Sequence, residues 1–116
     1  MIILVTGSRD FTNVEMVVEA LFQYDPSTTT IVHGGAKGLD TIADIVGREL
    51  GFTVQCYKVD WNNGKREGIL RNSQMLYEAK PDKVLGFRSK KNSRGTNDML
   101  MKAGMEGIPH EIYDDF

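Results

Sequence analysis

Four short segments concentrate the residue types that could hold an anion or move a proton. They are Gly7-Ser8-Arg9-Asp10, then His33-Gly34-Gly35-Ala36-Lys37-Gly38 with Asp40, then Asp60-Trp61-Asn62-Asn63-Gly64 running on to Gly68, and finally the basic stretch Arg88 to Arg94 leading into Gly95-Thr96. Glycines let backbone amides approach an anion closely, and a helix that begins directly after such a loop points its positive end at it. Gly34, Gly35 and Gly38 fit a phosphate cradle, and Lys37 adds charge. A tight strand-to-helix turn that needs positive φ explains the same glycines equally well. The loop is neither of two familiar phosphate loops. The G-x-G-x-x-G fingerprint belongs after the first strand, and no Gly-Lys-Ser/Thr occurs. Asp40 falls in the first turn of the next helix, where a carboxylate repels a phosphate. It could instead cap the helix or accept hydrogen bonds from ribose hydroxyls. Gly95-Thr96 offers a second helix start and a hydroxyl, with Arg94 beside it, and suits a phosphate better.

The remaining candidates each carry two readings. Arg9 is a phosphate or base-stacking group, or a solvated loop arginine. Glu67, Arg71 and Met75 share a helical face, which reads as a surface ion pair. Arg71 and Asn72 interrupt the apolar stripe of that helix, which favours their facing the ligand. Trp61 stacks on a base or plugs its loop against the core. Arg88, Lys90, Lys91 and Arg94 favour an anionic ligand. Single-stranded nucleic acid fits less well, because no aromatic residues interleave the charges. His33, His110 and Cys56 lack metal-ligand spacing, so no metal is expected. Ser8 has no nucleophile-elbow sequence around it. His33 is expected to bond backbone rather than to catalyse.

Those segments need a scaffold, and the hydrophobic pattern supplies one. Ile2 to Val5 is a continuous apolar run, the mark of a strand covered on both faces. Thr12 and Glu15 form a capping-box pattern before a helix whose face is Val14, Val17, Val18, Leu21 and Phe22. Asp25-Pro26-Ser27 ends that unit as a turn. Thr30-Ile31-Val32 is a second strand. Leu39, Ile42, Ala43, Val46 and Leu50 then repeat at helical spacing up to Gly51. Phe52 to Val59 reads as a third strand, Lys65 to Ala79 as a helix, and Lys83 to Phe87 as a fourth strand. A last helix opens at Gly95-Thr96 and ends near Gly107, followed by a strand over His110 to Tyr113. Strands alternating with helices imply an α/β domain: a mostly parallel five-stranded sheet with helices on both faces, Rossmann-like, as a single domain over residues 1–116. In such sheets ligands bind beyond the carboxyl ends of the strands. All four candidate segments leave those ends, while the connectors at the other end are plain. Function is therefore expected on one rim.

Bulk composition agrees with this. The 116 residues, 41% hydrophobic and 26% charged, suffice for one core. A net charge of −2 argues against a surface built to attract nucleic acid. One cysteine excludes an intrachain disulfide and suggests a reducing, cytoplasmic setting. No stretch approaches membrane-spanning length, and Met1 to Val5 lacks the features of a signal peptide.

Taken in order, Gly7-Ser8-Arg9, His33 to Asp40, Asp60-Trp61 with Gly64, Gly68, Arg71-Asn72 and Met75, and Gly95-Thr96 resemble the YspA-like branch of the SLOG superfamily. The resemblance spans nearly the whole chain. It implies strand order 3-2-1-4-5 and binding of a nucleotide or NAD-derived nucleotide ligand by a sensor, carrier or sequestering protein, with no resident cofactor. It also implies a homo-oligomer. On it the ligand-binding residues are Gly7, Ser8, Arg9, His33, Gly34, Gly35, Lys37, Gly38, Asp40, Asp60, Trp61, Arg71, Asn72, Arg94, Gly95 and Thr96. Relatives include LOG phosphoribohydrolases, which split a base from a nucleoside monophosphate, and the nucleic-acid-binding DprA domain. N-glycosidic hydrolysis and DprA-like binding of single strands are thus the alternatives. The LOG motif Pro-Gly-Gly-x-Gly-Thr-x-x-Glu is only partly present. Met99 stands where its glutamate would be, and Asp98 lies one residue early, a rotation of about 100° on a helix. Arg71 resembles the arginine that works with that glutamate. A hydrolase would need Glu67, Asp60 or Asp98 as acid or base.

Overall fold

The computed structural model describes residues 1–57 and 65–116, the side chains of 65–69 excepted. The element order is β1 (Ile2–Gly7), α1 (Val14–Leu21), β2 (Thr30–His33), α2 (Leu39–Glu49), β3 (Thr53–Cys56), α3 (Lys65–Ala79), β4 (Lys83–Ser89), α4 (Arg94–Met105) and β5 (His110–Asp115). The five strands form one sheet in the order β3-β2-β1-β4-β5. Every pairing is parallel, with Ile3 opposite both Ile31 and Lys83, and Gly7 opposite Phe87.

The continuous apolar run of β1 follows from its central place. Ile3 and Val5 turn to one face, where they pack with Val17 and Leu21 of α1 and Leu39, Ala43 and Val46 of α2. Leu4 turns to the other face and meets Met75, Leu76 and Ala79 of α3 and Met99, Leu100 and Ala103 of α4. A strand with a helix layer on each side has no wet face, so its alternation disappears. These are the three layers that the alternation of strands and helices implied, and the strand order that the family resemblance implied.

Three local expectations shift. The strand expected over Phe52 to Val59 is Thr53–Cys56, with Phe52 and Tyr57 outside it and residues 58–59 outside the described residues. Helix α1 is not capped by the Thr12–Glu15 pattern. Asn13 is its N-cap, and its side chain accepts from the Met16 amide at 3.1 Å. Asparagine caps at least as well as threonine, and this one sits a residue nearer the apolar repeat. The buried face of α1 is accordingly Val17, Ala20 and Leu21, with Val14 and Phe22 exposed. Strands β4 and β5 each run two residues further than the apolar pattern suggested, to Ser89 and Asp115. The extension pairs Arg88 with Asp114. No helix among the described residues is long and apolar enough to cross a membrane.

Candidate functional site

The carboxyl ends of β1, β2 and β4 bring three of the four candidate segments to one rim. Gly7 and Ser8 form its centre. A Cβ at Gly7 would lie 2.2 Å from Leu39 Cγ and 2.8 Å from the Phe87 carbonyl oxygen, so only glycine lets β1 pass between α2 and β4. Ser8 is fully buried. Its amide donates to the Phe87 carbonyl at 3.0 Å, and its hydroxyl accepts from the Ser89 amide at 3.1 Å and meets the Ser93 hydroxyl at 2.8 Å. The Ser93 hydroxyl in turn donates to the Ser89 carbonyl at 2.8 Å. The Ser8 carbonyl takes the amides of Phe11 and Leu39, each at 3.2 Å. Ser8 thus ties together the tip of β1, the tip of β4 and the first turn of α2. It holds the rim in place and has no exposed surface to offer a ligand.

The β2–α2 loop is closed from within. Gly38 is the N-cap of α2, with φ +77°, and a Cβ there would meet Arg9 and Ser8 backbone atoms at 2.3–2.5 Å. The buried Asp40 accepts the Gly34 amide at 3.2 Å and the Ala36 amide at 3.1 Å, both on Oδ2. Burial pushes its carboxyl up to about 6, partly offset by the Ala36 and Gly34 amides that it accepts. The Gly35 amide donates to His33 Nδ1 at 3.0 Å. Since Nδ1 accepts, Nε2 carries the proton and donates to Asp44 at 2.7 Å. Asp44 also takes Arg48 Nε at 2.8 Å, and its carboxyl is held below the usual range, chiefly by that bond. His33 therefore bonds backbone, as expected, and also a carboxylate that the sequence reading missed. Nothing in the spacing of His33 and Asp44, on separate elements, signalled that pair. Lys37 is exposed, and Arg9 is exposed across the gap.

The β4–α4 side differs. Ser93 precedes α4 without capping it, because its hydroxyl is turned toward β1 and β4. Gly95 is exposed, and a Cβ added there would meet nothing within 4 Å. Thr96 is buried, and among the described residues its hydroxyl oxygen has no hydrogen-bond partner. Asn72 reaches from α3 to the Gly95 carbonyl at 3.0 Å and to Asp98 at 3.1 Å. Arg71 is half-buried beside it in sequence, and Arg94 is exposed. Asp98 is also paired with Lys102 at 2.9 Å. Met99 is fully buried in the apolar core under α3 and α4.

The basic stretch is divided. Arg88 belongs to β4, and its guanidinium grips Asp114 through Nε at 2.5 Å and Nη2 at 2.6 Å, with Nη1 on Asn97 at 3.1 Å. It is spent on the fold. Lys90, Lys91 and Arg94 are exposed. Asp10 bonds the Ser89 hydroxyl, which holds its carboxyl below the usual range. Asp60, Trp61 and Gly64, and the side chain of Glu67, lie outside the described residues. At the opposite end of the sheet, a groove of about 410 Å³ between α3 and α4 is lined by Leu76, Tyr77, Met105 and Ile108 among others.

A parallel β-sheet between two helix pairs, with glycine-rich turns gathered at the carboxyl ends of its central strands, defines a Rossmann-like α/β class of domain. Comparison with known proteins narrows the class. A family model described as YAcAr, the YspA, cpYpsA-related SLOG family, matches residues 1–64. The Gene 61 protein of Mycobacterium phage D29 is 37% identical, over 92% of this chain and 91% of its own length. The chain belongs to the YspA and cpYpsA-related SLOG family.

Proposed function

We propose that this SLOG domain binds a nucleotide or NAD-derived nucleotide, with a phosphate at the N-terminus of α4. One observation carries the reading. Among the described residues nothing packs where a Gly95 Cβ would lie, and Gly95 stands directly before a buried hydroxyl that has no partner among them. Glycine in a helix costs about 0.5–1 kcal/mol relative to alanine. A ligand that comes within contact distance of the backbone accounts for that cost. Helix N-termini favour anions, and Arg94, exposed at the first position of α4, brings positive charge to the same turn. Binding without turnover fits better than hydrolysis. Position 99 holds a core methionine, and Asp98 is engaged by Asn72 and Lys102.

The test is to incubate the full chain with AMP, NAD, ADP-ribose and cyclic ADP-ribose isomers, isolate it by gel filtration, and identify what it carries by mass spectrometry. An intact nucleotide is expected, lost in Gly95→Asp and in Arg71→Ala. Gly35→Asp is a poorer probe, because φ is +75° there and a Cβ would lie 2.8 Å from Cys56 Sγ. Release of free base would favour the hydrolase reading. A steep loss of affinity for single-stranded DNA with salt, and no nucleotide bound, would favour the DprA-like one. Self-association fits the exposed Tyr77 and Met105 along the α3–α4 groove. Sedimentation of Met105→Glu against the unaltered chain tests it, a shift toward monomer being expected.

A further inference from the structure

Three successive amides of the β2–α2 loop converge on groups of the protein itself. Those of Gly34 and Ala36 go to Asp40, and that of Gly35 goes to His33. Successive backbone amides gathered in a glycine loop form an anion nest. Here the nest holds a carboxylate from the first turn of its own helix, where the helix dipole also favours negative charge. An external phosphate cannot use the same amides, and next to an ionised Asp40 it meets like charge at close range.

We propose that Asp40 is the specificity-determining residue of the rim: it fills the β2–α2 loop with an internal anion and so bars phosphate from that loop. The uncharged part of the ligand, a ribose or base, is then what meets this loop, while the phosphate goes to α4. That second clause rests on the nucleotide reading, whereas the exclusion of phosphate does not. Among the described residues, the charged and titratable groups around Asp40 are few. His33 ends β2, with Asp44 and Arg48 behind it on α2. Lys37 lies in the loop itself. Arg9 comes from the β1–α1 loop, whose backbone packs under Gly38, and the Cys56 thiol of β3 lies against Gly35. The Asp40 carboxyl, pushed up to about 6, is ionised at neutral pH and mostly neutral one pH unit below that value.

The experiment is a backbone-amide NMR titration of the full chain with inorganic phosphate and, separately, with AMP. Near neutral pH, phosphate is expected to leave the Gly34 and Ala36 signals in place. In Asp40→Asn those two amides should respond, with an apparent affinity at least about tenfold tighter than in the unaltered chain, since a full like charge has been removed at contact range. Acidifying the unaltered chain to about pH 5 neutralises the same carboxyl, and should give the same gain without a substitution, which covers a variant that fails to fold. Phosphate shifts at Gly34 and Ala36 in the unaltered chain near neutral pH would overturn the proposal. So would the lack of any gain both in Asp40→Asn and at low pH. If AMP moves neither Gly95 nor Thr96 while the Asp40→Asn gain is present, the exclusion stands and the nucleotide reading falls.

Discussion

The two glycine-bearing turns of the rim, β2–α2 and β4–α4, look alike as sequence and differ in what their backbone is free to do. Both run from a central strand into a helix, and both place glycine at the helix start. At β2–α2 the loop amides are taken by Asp40 and His33, the Leu39 amide is taken by the Ser8 carbonyl, and the N-cap glycine is forced by backbone packing. At β4–α4 the Ser93 hydroxyl faces elsewhere, and among the described residues a Cβ at the glycine would meet nothing and a buried threonine hydroxyl has no partner. A glycine-rich turn is therefore not a binding loop by composition. The side chain at the second helical position decides: aspartate fills the amides of one turn, and in the other the position belongs to glycine itself.

The sharpest way to break this contrast is to add one methyl group to each turn. Gly38→Ala should cost more than about 3 kcal/mol in urea unfolding, because positive φ and a backbone clash act together. A cost under 1 kcal/mol would mean that the loop is not held against the Ser8–Arg9 backbone. A second measurement compares the stability of the unaltered chain with Asp40→Asn across pH. The folded carboxyl titrates near 6 and the unfolded one at 3.8. Between those values the native state binds the extra proton, so raising pH should erode the stability of the unaltered chain relative to the variant. The loss is at most about 3 kcal/mol and is complete above pH 6. Groups with lowered values, such as Asp44 and Asp114, act in both proteins and cancel in the difference. A flat difference would show that Asp40 is solvated in solution.

Smaller effects sharpen the picture. Ser8→Ala removes the partner of the half-buried Ser89 amide and Ser93 hydroxyl and should cost about 1–3 kcal/mol. Gly95→Ala should leave the fold unharmed or raise its stability by about 0.5 kcal/mol, readable as a small rise in Tm. A loss above 1 kcal/mol would give Gly95 a structural reason and weaken the site at α4.

Much of the scaffold was legible in the residues. The unbroken apolar run of Ile2 to Val5 announced a doubly covered strand, and the periodic stripe from Leu39 to Leu50 announced α2. The rim was legible as well, because polar and glycine-rich connectors fall at one end of every strand. The traffic of hydrogen bonds within it was not. Asp40 could be placed in a first helical turn but not aimed at the amides behind it. Arg88 counted toward a basic loop, and its partner Asp114 lies on another strand, 26 residues on. Side-chain pairs between elements have no period, so a single sequence does not display them. The Asn13 cap shows the same limit at short range: Thr12 and Asn13 both qualify, and packing of the first turn selects between them.

The bonds made by Ser8 also set when the rim can exist. Ser8 reaches Ser89 and Ser93 across 81 and 85 residues of chain. Contacts of such long sequence separation are slow to form, because a large loop must close before they return any energy. During synthesis, β1, α1, β2, α2 and β3 emerge first, yet the centre of the sheet still lacks the strand that flanks β1. Only when β4 docks beside β1 do the Ser8 hydroxyl, the tip of β4 and the start of α4 come into register. The rim is thus a late product of folding, assembled from both halves of the chain, and its appearance reports that β4 has docked beside β1.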